Sequence, residues 1–122
     1  MKKKITCLIM SAASCAMFAQ TSGKEAGHIW IDLGLPSGIK WASTNIGANR
    51  PQDEGNYYAW GETTLKTDFR WATYSHGAGQ NSLTKYSYSD GVLSLDAADD
   101  VVSCVWGGTW RMPTKEEWRE LQ

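Results

Sequence analysis

Residues 110–118 read Trp110-Arg111-Met112-Pro113-Thr114-Lys115-Glu116-Glu117-Trp118 and carry the clearest local instruction in the chain. Thr114 and Glu117 stand at the spacing of a capping box. The threonine hydroxyl accepts from the backbone N–H of Glu117, and the glutamate reaches back to the N–H of Thr114. Pro113 and Trp118 fall where a hydrophobic staple forms, and Glu116 suits the positive end of the helix dipole. Pro113 keeps Met112 out of the helical region, so 109–112 is expected to be short and extended. The pattern predicts a helix from Lys115 to Gln122, only about 12 Å long. Isolated helices shorter than about 12–15 residues are marginal, and neither a Gly nor an Asn follows to close this one. The helix is therefore expected to need a packing partner, and the element reads as the middle of a domain rather than its end.

The other end of the chain predicts its destination. Met1-Lys2-Lys3-Lys4 is followed by an uncharged, apolar or small run to Ala19. A basic head and a short apolar body make a secretory signal peptide over residues 1–19, too short for a membrane span of roughly 20 residues. An alternative is a lipoprotein anchored through Cys15, although Ala12-Ala13-Ser14-Cys15 lacks the usual leucine. A cytoplasmic protein with a buried N-terminal helix is the remaining possibility. Removing 1–19 takes three of the 12 basic residues and none of the 13 acids, so the net charge moves from −1 to −4. An acidic mature chain gives no electrostatic footing for nucleic acid or an anionic membrane. Cys7 and Cys15 leave with the signal, so Cys104 remains alone and forms no internal disulfide. Its setting, Val101-Val102-Ser103-Cys104-Val105-Trp106, predicts burial.

Between the ends, residues 20–28 are expected as a small, polar, disordered lead-in. Residues 29–44 predict a β-hairpin around Pro36-Ser37-Gly38, with Pro at the second turn position and Gly at the fourth. A loop over 45–55 leads to a third strand candidate, Asn56–Trp60, stopped by Gly61. Residues 61–90 carry neither period and predict a long functional or poorly ordered loop. Gly91–Leu95 is a short strand candidate. Asp96–Val105 predicts a short helix with Asp96 as its N-cap, ended by Gly107-Gly108. The order gives an α+β domain, irregular and loop-rich.

"WIDLGLPSGIKWASTNIGA" (30–48), "GNYYAWGET" (55–63), "LTKY" (83–86), "DAADD" (96–100) and "WGGTWRMPTKEEWREL" (106–121) stand in fixed order. Together they resemble the Fibrobacter succinogenes major paralogous domain, a family of exported proteins. The likeness covers residues 29–121, nearly the whole mature chain, and the domain is placed at 29–122. The Arg-Met-Pro-Thr-x-x-Glu-Trp segment is also similar to one in formylglycine-generating domains. The resemblance implies a C-type-lectin-like fold. It also implies a domain continuing past Leu121 with further strands, so the chain is expected to be the N-terminal part of one such domain. No catalytic residue comes with it. The cysteines of the formylglycine-generating group lie C-terminal to anything here. The motifs of calcium-dependent lectins are likewise missing, the nearest string being Pro51-Gln52-Asp53 in the wrong order.

The residues themselves favour binding over catalysis. Seven Trp and five Tyr either build a core or line a surface for sugar rings or peptide. Tyr57, Tyr58, Trp60 and Glu62, with Trp71 and Tyr74, are the candidate ligand-binding set; the competing reading is core packing and loop anchoring. Arg111 is expected to pair with a carboxylate or stack on a Trp. Asp96, Asp99 and Asp100 are too few for calcium without help, and His28 and His76 have no partners at zinc spacing. Neither a metal nor a cofactor is implied. The function expected is an exported or cell-surface non-catalytic domain binding glycan or a surface protein. Alternatives are an enzyme of the formylglycine-generating kind and a truncated remnant without a function of its own. Replacing Thr114 by Ala is expected to cost about 1 kcal/mol, measured as a lowered urea midpoint at unchanged slope.

Overall fold

In the computed structural model, residues 21–122 are described; the expected signal peptide and Cys15 lie outside them. The first surprise is in the expected lead-in. Ser22–Glu25 forms strand β1, paired antiparallel with β2, His28–Asp32, in the register Ser22↔Ile31 to Glu25↔His28. Ala26 (φ 47°) and Gly27 (φ 86°) join them. Two positive φ values make a type I′ turn, whose twist matches that of the paired strands. The turn lacks the usual Asn-Gly signature, and the short polar strand shows no apolar alternation, so a disordered lead-in was the wrong expectation.

The hairpin expected over 29–44 is present. Strand β3, Lys40–Ala42, pairs antiparallel with β2 in the register Trp30↔Ala42, Ile31↔Trp41 and Asp32↔Lys40, giving a sheet of order β1-β2-β3. The Gly38 N–H donates to the Leu35 carbonyl at 2.9 Å, which places Pro36 second and Gly38 fourth in the turn. The other two strand candidates are corrected. Asn56–Trp60 and Gly91–Leu95 form no strand. The Asn56 N–H goes to the Ile46 carbonyl at 2.8 Å and pinches off the 46–56 loop.

Helix α1 is Val101–Trp106 and helix α2 is Lys115–Glu120. The first starts later than expected because Asp100, not Asp96, caps it. Asp100 Oδ1 accepts from the N–H groups of Val102 (2.9 Å) and Ser103 (3.1 Å), and Oδ2 accepts from the N–H of Met112 (2.7 Å). Asp96 instead meets Lys85 Nζ at 2.6 Å. Val101 and Val102 are buried on α1. Cys104 is exposed, against the expectation of burial, with its thiol donating to the carbonyls of Ala97 and Ala98. A helix of this length turns only part of its surface inward, and Cys104 falls on the outward part.

At α2 both halves of the capping box form: the Glu117 N–H donates to Thr114 Oγ1 (3.3 Å) and the Thr114 N–H to Glu117 Oε2 (2.7 Å). Arg111 takes the carboxylate option, pairing with Glu117 Oε1 at 2.5 Å. That guanidinium, opposed by burial and aided by the Thr114 donors, holds the Glu117 carboxyl down at about 2. The α2 ring of Trp118 lies 5.2 Å from that of Trp41, and Ser37 hydrogen-bonds Glu120 through both its N–H and its hydroxyl.

The sheet, α1 and the segment before α2 meet around stacked aromatics. The His28 ring lies flat on Trp106 at 4.0 Å, and Trp110 meets Trp106 edge-on at 5.1 Å. Trp110 Nε1 donates to the Glu25 carbonyl, and Thr109 donates to Glu25 Oε1 through both its N–H and its hydroxyl. A Cβ on Gly108 (φ 61°) would stand 2.7 Å from that same Oε1, so the left-handed backbone and the Glu25 contact both favour glycine there. An open cavity of about 680 Å³ is lined among others by Trp30, Trp41, Trp106, Trp110, Met112 and Trp118. The domain is thus a small, loop-rich α+β unit. Among the described residues no helix is long and apolar enough to cross a membrane. Asp100→Ala leaves three backbone donors without their carboxylate and is expected to cost about 2–4 kcal/mol. Asp100→Asn, which keeps an acceptor, should lose less. Urea unfolding of both variants checks the order.

Candidate functional site

Residues 60–76 form a closed loop whose ends are tied together by polar contacts. Glu62, 7% exposed, lies at the base. Its Oε1 accepts from the N–H (2.7 Å) and hydroxyl (2.8 Å) of Ser75, and its Oε2 meets Lys66 Nζ at 2.5 Å. His76 Nε2 and the Gly61 carbonyl are 2.7 Å apart, and the Tyr74 hydroxyl donates to the Trp60 carbonyl at 2.8 Å. Gly61 (φ 76°) is buried between rings: a Cβ there would come within 3.1 Å of both His76 and Tyr86. Burial pushes the Glu62 carboxyl up, but Lys66 and the two Ser75 donors outweigh it and hold it below its ordinary value. Burial first, then the nearby negative charge of Glu62, pushes the Tyr74 phenol up.

The tip of the loop is locked as firmly. Asp68 Oδ1 accepts from the Arg70 N–H at 3.0 Å, and the Arg70 guanidinium grips both Asp68 oxygens, at 2.7 Å for the shortest contact. The Thr73 hydroxyl donates to the Asp68 carbonyl at 2.7 Å, at the end of the 3-10 turn Trp71–Thr73. Lys66 Nζ also donates to the Thr73 carbonyl at 3.1 Å and lies under 6 Å from the Phe69 and Tyr74 ring centroids. Trp71 meets Tyr74 edge-on at 5.7 Å. Trp60, Phe69 and Trp71 each keep about half of their surface in solvent.

A neighbouring network braces the base. Tyr86 is held at φ 59°, an uncommon region for a bulky residue. Its hydroxyl donates to Asp99 Oδ2 at 2.6 Å and accepts from the Asp96 N–H at 3.1 Å, while its ring meets His76 edge-on. Lys85 Nζ bridges Asp96 and Asp99. Hydrogen bonds from Lys85 and then Tyr86 pull the Asp99 carboxyl down, and the two aspartates push the Lys85 amine up. Among the described residues no group of three or more His, Cys, Asp or Glu side chains is placed to hold a metal ion.

Of the ligand-binding residues read from the sequence, Trp60, Glu62, Trp71 and Tyr74 come together in this loop. Glu62 serves as its internal clamp, facing away from solvent. Tyr57 and Tyr58 do not join them. The Tyr57 hydroxyl donates to Glu54 at 2.7 Å, and Tyr58 lines a separate cavity of about 280 Å³ with His28 and Trp106. Lys66, Ser75 and His76 were missed as loop clamps. Only Lys66 left a trace, its spacing of four from Glu62.

The fold and loop define the class: a small α+β domain presenting a braced aromatic loop. The chain matches none of the known family descriptions, curated proteins or solved structures with which it was compared.

Glu62→Ala is expected to cost about 2–3 kcal/mol, because it strands Lys66 and two Ser75 donors, and to open residues 63–73 to limited proteolysis. The acid limb follows the sign of the shift. A carboxyl held lower in the folded chain than in the unfolded one stabilises above the unfolded value and loses that contribution as pH falls. Stability should therefore fall below about pH 4.5, and less steeply in Glu62→Gln when acid unfolding is followed by tryptophan fluorescence.

Proposed function

We propose that this chain is a non-catalytic binding domain of an exported or surface-attached bacterial protein, built on the plan of the Fibrobacter succinogenes major paralogous domain and so of the C-type-lectin-like group. The observation that carries the reading is the 60–76 loop. Its backbone is fixed from within by Glu62, His76, Tyr74 and Lys66, while Trp60, Phe69 and Trp71 stay half exposed. Ordering a surface before it meets a ligand removes entropy from the cost of binding, and exposed aromatic rings on a rigid support are the usual anchors of recognition.

The internally paired carboxylates of the domain support binding over catalysis. Glu62 is engaged by Ser75 and Lys66, Asp99 by Lys85 and Tyr86, and Glu117 by Arg111 and Thr114. A general acid or base has to reach a substrate proton, and these carboxylates are occupied with structural donors. The basic, apolar character of residues 1–19 supports export, and glycans or surface proteins are the partners such a location offers.

The test uses the full chain on a glycan array and against purified surface glycoproteins. Binding is expected, with a loss of about tenfold or more in a Trp60→Ala/Trp71→Ala double variant that keeps the wild-type unfolding midpoint. Binding untouched by the double variant, or oxidase activity of the purified chain on thiol peptides, overturns the reading.

A further inference from the structure

The charges at the loop tip are matched in pairs. Arg70 is gripped by Asp68 and Lys66 by Glu62, so the surface around Phe69 and Trp71 carries polar groups without net charge. The fork leaves Arg70 largely in solvent, its side chain 81% exposed, and one terminal nitrogen of the guanidinium makes no contact with Asp68. Asp68, 35% exposed, has lone pairs beyond those Arg70 uses. Phe69, between the two fork residues in sequence, and Trp71, directly after them, are each about half exposed, and Leu65 is 63% exposed.

Each part has a cost unless something uses it. Three apolar side chains stand in water on a segment stiffened by the contacts of Asp68, Thr73 and Lys66. An exposed ion pair adds little to stability, yet here it is held at bidentate geometry, which fixes donor and acceptor directions. Flat apolar faces next to a fixed fork of donors and acceptors, with no net charge, match a ligand with an apolar C–H face and a rim of hydroxyls. A phosphate, sulfate or carboxylate ligand would meet the Asp68 carboxylate and an already matched Arg70. An anionic membrane would meet the same carboxylate on an acidic chain.

We infer that Phe69 and Trp71, together with the Asp68–Arg70 fork, form a subsite for neutral hexose units of a glycan. The ring faces take the C–H side of the sugar, Arg70 donates to its hydroxyl oxygens, and Asp68 accepts from its hydroxyl hydrogens. Tyr74 and Lys66 position the rings and the turn and do not touch the sugar. This inference rests on the binding reading above and names its ligand class and its residues, two of which, Phe69 and Trp71, carry the stacking.

The experiment titrates the full chain with neutral gluco-, manno- and galacto-oligosaccharides, followed by tryptophan fluorescence and by isothermal titration. Uronic-acid and sialylated oligosaccharides form a second arm. Saturable binding of at least one neutral series is expected. Trp71→Ala and Arg70→Ala should each weaken it about 5–20-fold, Phe69→Ala by less, and Tyr57→Phe not at all. Arg70→Lys, which keeps the charge but loses the fork, should recover only part of the affinity. Unfolding midpoints of the exposed-site variants should stay near wild type, so loss of binding reports the contact. Neutral sugar binding unchanged in Trp71→Ala and Arg70→Ala overturns the subsite. So does preference for the acidic series, or the absence of neutral binding up to about 10 mM. If a purified surface glycoprotein stripped of its glycans still binds and the Trp60→Ala/Trp71→Ala variant loses it, the binding domain stands and the sugar subsite falls. If neither sugars nor proteins bind, both fall.

Discussion

The carboxylate of Asp100 joins the parts of this domain. It is 4% exposed, and its two oxygens satisfy the N–H groups of Val102, Ser103 and Met112. The first two are orphan donors of the α1 N-terminus. The third belongs to the extended segment that leads into α2. One side chain therefore starts one helix and sets the approach to the next. Everything around it depends on that placement. Val101 and Val102 are buried because α1 begins where it does, Trp106 reaches His28 because α1 ends where it does, and Thr109 and Trp110 reach Glu25 from there. A short helix has little propensity of its own to contribute, so its cap and its tertiary contacts decide whether it exists.

Glu62 repeats the device in the other half of the chain. There too a buried carboxylate gathers backbone and side-chain donors, here from Ser75 and from Lys66 four residues on, and turns an irregular stretch into a fixed one. Removing one partner of such a group costs more than the contact itself is worth, because the remainder is left buried and unsatisfied. With few fully buried apolar side chains and an open cavity beside them, the described part of the chain relies on carboxylates to an unusual degree. Glu117 does the same for α2, serving Arg111 and the Thr114 cap at once. Acid should act on the Glu62 and Glu117 joints together, since both carboxyls are held low.

The elements that could be read from sequence are those written in local chemistry. The Leu35–Gly38 turn, the β2–β3 hairpin and the Thr114–Glu117 box each depend on residues within a few positions of one another, and each formed as read. The readings that failed needed long-range information. β1 exists because a twist-matched turn at Ala26-Gly27 brings four polar residues alongside β2, and nothing apolar in Ser22–Glu25 marks it. Asp96 and Asp100 are equally good caps by type. Lys85, remote in sequence, takes Asp96, and Asp100 is left for α1. Cys104 follows from the same shift in helix start. In the candidate site the aromatic residues were visible by composition, but which of them gather was not. Tyr57 and Tyr58 were split from Trp60 by the Glu54 carboxylate and the small cavity beside Trp106.

The two halves of the architecture differ in how far their contacts reach. The sheet-to-helix joints span 83 to 85 residues, as with Ser37 to Glu120 and Glu25 to Thr109 and Trp110. The loop clamps span 13 to 15, as with Glu62 to Ser75, Tyr74 to Trp60 and His76 to Gly61. Closing a short loop costs less entropy than closing a long one, so the aromatic loop can order itself with little help from the sheet. That separation suits a recognition surface. The tip is held by local polar contacts, while the sheet region exposes Ile29, Ile31 and Leu33 and borders an open cavity. Changes that soften the core should therefore lower the global unfolding temperature well before they alter the geometry at Phe69, Arg70 and Trp71, whereas loss of Glu62 should disturb that geometry directly.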